Sequence, residues 1–213
     1  GDNTYVELFG EESRYNCKYS QVQVLQLLLL FPCFMIKNAF NYSTSSLCGI
    51  ADCGKDVFYR FLSREDYDWR SILINITAQL WRKTLANTER DDKTPICLMV
   101  DDTDYPKRGI QTEMIGKVFS HVEHKMILGF KGLFLGITDG ATQMLMDFCL
   151  VGERGKNGMY NLKQKQLDAR FTKERDKDSH TAKRIKEYDE SKITLMIEMI
   201  KRLIARKIHF DYI

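Results

Sequence analysis

Between residues 20 and 90 apolar positions recur every three to four residues, and strict alternation is absent. That spacing puts one apolar face on each of a series of helices. The greasiest stretch, LLLLFPCFMI from Leu27 to Ile36, is shorter than the ~20 apolar residues a membrane span needs. Pro32 interrupts it, and polar Gln21, Gln23 and Gln26 precede it. The pattern predicts a buried helix of a soluble protein, and no secretory signal pattern is read.

Within this region, SSLCGIADCGKDVFYRFLSRE predicts two short helices. Ser45 or Ser46 caps the first, which ends near Asp52. Cys53-Gly54 makes the turn. The second, KDVFYRFL, faces Val57, Phe58, Phe61 and Leu62 inward and Lys55, Tyr59 and Arg60 outward. The pair resembles a helix-turn-helix, whose second helix enters the major groove. Its turn is one residue short for that motif, and a plain helical hairpin is the alternative.

From about Thr94 the period changes. PICLMV is a solid apolar run, as in a strand buried on both faces. KMILGFKGLFLGI follows, then TDGATQ with its Asp139-Gly140 turn signal, then MLMDFCLVG. In the last run Met144, Met146, Phe148 and Leu150 share one side. A hairpin beside the first strand is predicted. Residues 152–192 hold twelve Lys or Arg against eight Asp or Glu, with few aliphatics. They read as a solvated basic insertion, and the interleaved Tyr160 and Phe171 add a nucleic-acid reading. In SKITLMIEMIKRLIARKI, Ser191 is a cap and Ile193, Met196, Ile197, Ile200 and Ile204 form an apolar stripe. Lys201, Arg202, Arg206 and Lys207 gather at its end, where the helix dipole favours cations. HFDYI then opens another strand.

The predicted fold class is therefore α+β. A helical, DNA-binding region spans 1–92, and an incomplete α/β core spans 93–213. The core holds an antiparallel three-strand start, the basic insertion at 152–192, a helix and the start of a fourth strand. With 213 residues, 44% of them hydrophobic, the chain can bury a sizeable core, and its net charge of +3 is a weak hint of an anionic partner. The six cysteines are scattered, with no CxxC pair and no His cluster to complete a zinc site. They read as free thiols in a reducing compartment.

The chemistry lies in VDDTDYPKRG. Asp101, Asp102 and Asp104 close an apolar strand, and Lys107 and Arg108 follow. A strand tip is a rigid platform for a site. Carboxylates there are hard oxygen ligands suited to Mg²⁺, and a metal pair can clamp both oxygens of a phosphodiester displacement. An ordinary turn is the bland alternative. A second rival is the haloacid-dehalogenase type of phosphatase, with Asp102 as nucleophile and Asp104 as acid. That fold needs a parallel sheet, which the order of strands here does not favour.

VDDTDYPKRG, IGKVFSHVEHKMILGFKGLFLGITDG, DFCLVGERGKNGMYNLK and KERDKDSHTAKRIKEYDESK together resemble bacterial insertion-sequence transposases of the IS-four type. The resemblance covers nearly the whole chain and is strongest from Cys97 to Ile213. It implies an RNase H-like core and a DDE triad that cuts and joins DNA with Mg²⁺ or Mn²⁺. The D-x-[ST] setting picks Asp101 as the first triad acid and metal ligand, with Asp102 as the fallback and Thr103 ordering the loop. DNA contacts are expected from Lys107, Arg108, Lys55, Arg60, Lys163, Lys165, Arg170, Lys173 and Arg175. Asp211 is read as preceding the second triad position, which is expected beyond Ile213 together with the Glu. The chain alone is therefore expected to be inactive. Terminal inverted repeats are the implied substrate, a homodimer the implied assembly of the complete enzyme, and the bacterial cytoplasm, at the nucleoid, the implied location. A non-catalytic DNA-binding module is the remaining alternative.

Overall fold

A computed structural model describes residues 18–87, 94–153 and 159–213. Contacts group the chain into two units, Gly1–Asp68 and Trp69–Ile213.

In the first unit, helix α1 (Gln21–Leu30) starts at a capping box, Ser20 accepting from the Gln23 amide and Gln23 from the Ser20 amide. Two short 3-10 helices follow, Ala39–Thr44 and Ser46–Gly49, in place of the single predicted helix. Helix α2 (Lys55–Leu62) forms over the predicted KDVFYRFL, starting after Gly54. Phe58 and Phe61 are buried as expected, whereas Leu62 is exposed. Phe31, Tyr42 and Phe58 form an aromatic core with centroids 4.8–5.7 Å apart. No described helix is long and apolar enough to cross a membrane.

The second unit opens with helix α3 (Trp69–Asn87), which packs on the sheet that follows. Four antiparallel strands make that sheet: β1 (Cys97–Pro106), β2 (Gly116–Ser120), β3 (Lys125–Thr138) and β4 (Gln143–Val151). β3 is its spine. β1 runs along one edge of β3 from Gly129 to Thr138, while β2 and β4 share the other edge end to end. β2 is an addition to the strands that apolar patterning predicts; GKVFS is too short and too polar to signal itself. At the junction Gly129 passes so close to β1 that a Cβ would lie 2.1 Å from the Tyr105 carbonyl oxygen. Only glycine allows that approach.

The predicted alternation of β4 fails halfway. A register shift at Leu135/Gly136 reverses its phase, so Met146 and then Asp147, Cys149 and Val151 face the core. Phe148 and Leu150 turn outward; a bulge of this kind flips every side chain beyond it.

Beyond β4, the described part of the basic insertion packs against β2 and β4. It forms a 3-10 turn (Met159–Asn161), helix α4 (Gln164–Asp168) and helix α5 (His180–Glu187). Tyr160 and Tyr188 pack with Ile115 and Phe130 in a small second core. Helix α6 (Lys192–Ala205) is capped by Ser191 as predicted. Its buried face is Leu195, Met199 and Leu203, while Ile193, Ile197 and Ile204 are exposed. The predicted stripe is therefore rotated, with Met196 half-buried and Ile200 packed against the core at its edge. The reason is polar: Lys192 and Arg202 reach down from the Leu195 face to acids on the sheet. α3 and α6 cover the same side of the sheet, and Ile74, Trp81, Leu98, Leu135, Ile137 and Met199 lie in the core between them. Finally, Asp211 and Tyr212 bridge to the start of β1 in parallel, with the Leu98 amide donating to the Tyr212 carbonyl at 2.8 Å.

Candidate active site

The three acids do not close β1. The strand runs on through them to Pro106, because each residue from Asp101 to Pro106 pairs with β3. Strand alternation then splits the acids between two faces.

Asp102 and Asp104 point to the helix-covered side, in line with Leu98 and Val100. Lys131 of β3 stands directly opposite Asp104 in register and is buried, 3% of its side chain exposed. Its Nζ lies 3.5 Å from Asp104 Oδ1 and 3.8 Å from Asp102 Oδ2. Lys192, the first residue of α6, donates to Asp102 Oδ2. Burial by itself would raise the Asp102 pKa, but the Lys192 hydrogen bond and the charges of Lys192, Lys131 and His121 outweigh it. The carboxyl is held below its ordinary value. These two acids are neutralised from within.

Asp101 and Thr103 face the other way, on the outer side of the sheet, and both are exposed. Asp101 Oδ1 accepts the Asp102 amide at 2.8 Å. Its carboxylate makes no ion pair among the described residues, which suits it to a hard cation as one oxygen ligand. No group of three His, Cys, Asp or Glu assembles for a metal among the described residues, so Asp101 stands there as a single carboxylate ligand.

The expected DNA-contacting cations separate into two kinds. Lys107, Arg108, Lys163, Lys165 and Lys173 are exposed, as are Lys55 and Arg60 in the first unit. Lys55 lies over the Phe40 ring, 5.1 Å from its centroid, and Arg60 Nε donates to the Asp56 carbonyl at 3.3 Å. Arg175 instead forks onto Glu113. Arg170 donates to the Ile115 carbonyl at 3.3 Å and stacks on Tyr160. Those two arginines hold the insertion to the sheet unit. Asp211 accepts the Ile96 amide at 2.7 Å and fastens the carboxy-terminal segment beside β1.

Periodicity missed a buried charge network. Asp147, fully buried, accepts from Arg70 at 3.0 Å and from Arg202 at 2.8 Å, and Arg70 also forks onto Glu187. The signal was in the sequence: Asp147 inside MLMDFCL and Lys131 inside GFKGLFL are single charges in apolar runs, and a buried charge demands a partner. The antiparallel sheet also lacks the parallel order that a haloacid-dehalogenase phosphatase requires. Cys33, Cys48, Cys53, Cys97 and Cys149 are free thiols, and Cys17 lies outside the described residues.

A family model described as DDE superfamily endonuclease matches residues 44–213. No match is found among curated proteins or among solved structures.

Proposed function

We propose that this chain, which belongs to the DDE superfamily endonucleases, is part of a bacterial insertion-sequence transposase of the IS-four type. Membership carries the coarse reading: a nuclease-type enzyme with an RNase H-like α+β fold, acting on DNA in a family that uses divalent metals. The finer reading assigns Asp101 as the first triad acid and a ligand for Mg²⁺ or Mn²⁺. The observation that supports it is the contrast on β1. Asp101 is exposed and makes no ion pair among the described residues, whereas lysines already neutralise Asp102 and Asp104. Lys107 and Arg108, exposed just past the end of the same strand, would hold the phosphate backbone. Terminal inverted repeats are the proposed substrate and a homodimer the proposed assembly. The helical region is assigned to DNA binding as far as Asp68, because α3 packs on the sheet and belongs with the catalytic core.

A DDE centre needs two further carboxylates beside Asp101, and none assembles with it among the described residues. We therefore expect cleavage by these residues alone to be weak. The test is binding and nicking of inverted-repeat duplex with and without Mg²⁺ or Mn²⁺. Divalent metal should tighten binding; Asp101→Asn should abolish that gain and Asp102→Asn should keep it. A gain that survives Asp101→Asn moves the assignment to Asp102, and robust nicking sinks the expectation of weak cleavage. Absence of any DNA binding would sink the transposase reading.

A further inference from the structure

The outer face of the sheet carries more than Asp101. Tyr105 of β1, Phe134 of β3 and Phe148 of β4 form a row across three strands. The Tyr105 and Phe134 centroids are 6.1 Å apart, and those of Phe134 and Phe148 are 5.9 Å apart, nearly parallel at 17°. Gly132 lies between the first two rings. A Cβ there would come within 2.6 Å of the Tyr105 ring and 2.7 Å of the Phe134 ring. The glycine therefore lets both rings lean together over the backbone. Tyr105 is 39% exposed and Phe134 half-buried. At the far end of the row the Arg184 guanidinium covers Phe148, 4.9 Å from its centroid. Phe134 is also the direct cross-strand partner of Asp101.

An exposed ring on the strand that leads into two exposed cations, Lys107 and Arg108, backed by the half-buried Phe134 ring beside it, matches a single nucleic-acid strand. Rings stack bases whatever their identity, and cations hold the phosphates. Duplex DNA cannot use the rings, because its bases are already stacked on each other. A protein partner would use the apolar area but would not call for the adjoining cations.

We infer that Tyr105 and Phe134 form a stacking platform for unpaired nucleotides of the DNA substrate, seated beside Asp101. The inference rests on the nuclease reading and specifies the form of DNA at the site: a frayed or single-stranded segment, not intact duplex.

The test uses the whole chain and a short oligothymidine carrying one 2-aminopurine, with the matching duplex as comparison. The wild-type chain should bind the single strand and quench the 2-aminopurine. Tyr105→Leu or Phe134→Leu should each weaken single-strand binding about tenfold and remove the quenching. Tyr105→Phe should behave as wild type, because it keeps the ring. Duplex affinity and the thermal midpoint should hold within error in the Tyr105 variants. Single-strand binding that is unchanged in both leucine variants overturns the platform, as does an absence of single-strand binding while duplex is bound. Quenching that is lost in the leucine variants supports the platform whether or not DNA is cut; an absence of duplex binding beside that result would count against the nuclease reading alone.

Discussion

At the scale of single residues, β1 assigns different work to adjacent aspartates by nothing more than strand alternation. Asp102 is internal, fixed by Lys131 and Lys192, and its folded-state pKa lies below the unfolded value near 3.8. A depressed carboxyl stabilises the fold above its unfolded pKa, and that gain is lost as pH falls through the folded value. Wild type should therefore lose more stability than Asp102→Asn between neutral pH and about pH 3, read as urea midpoints at unchanged slope. Lys131→Met should cost about 1–3 kcal/mol, because it leaves Asp104 half-buried without its cation. Asp101→Asn, at an exposed site, should leave the urea midpoint where it is while removing the metal effect on DNA binding. Thiols divide by the same logic. Burial, then the nearby Glu187 carboxylate, pushes Cys149 up to about 12, while Cys33 is exposed. A thiol reagent at pH 8 should label Cys33 at once and Cys149 only on unfolding.

At the scale of elements, the apolar pattern located most of the second unit and misplaced its faces. α6 illustrates why. Its sequence offers two stripes at helical spacing, Ile193-Ile197-Ile204 and Leu195-Met199-Leu203, and apolarity alone does not choose. Lys192 and Arg202, reaching Asp102 and Asp147, settle the choice, and those partners lie far away in sequence. β4 shows the same limit, since the bulge that reverses its phase belongs to its pairing with β3 and not to either strand. β1 was legible as a strand, but its length was not, because three acids look like a terminus until the β3 partners are known. Two experiments follow. Leu195→Ala or Met199→Ala should cost about 2–5 kcal/mol, and Ile193→Ala or Ile204→Ala within about 0.5 kcal/mol, in equilibrium denaturation. Asp147→Ala should cost about 3–5 kcal/mol, because Arg70 and Arg202 lose a buried counter-charge that joins α3, β4 and α6.

At the scale of the whole molecule, the net charge of +3 says little about DNA, because the cations are not equivalent. Composition counts Arg170 and Arg175 with Lys107 and Arg108, yet the first two are turned inward on Ile115, Tyr160 and Glu113. What looked like one basic surface is partly a clasp that holds residues 159–175 against β2 and the loop before it. Only cations that displace counterions from phosphate contribute to the salt dependence of binding, by about 0.9 in the log–log slope per contact on duplex. Lys107→Ala combined with Arg108→Ala should therefore lower the slope by about 1.8 without shifting the thermal midpoint. Arg175→Ala should do the reverse: the midpoint falls as Glu113 loses its fork, and the slope at a temperature where the variant stays folded is unchanged. Anisotropy titrations over a salt series, beside thermal melts of the same preparations, separate the two classes. A slope change for Arg175→Ala equal to that for one exposed cation would mean that the clasp opens on DNA. The insertion would then have to be redrawn as part of the binding surface.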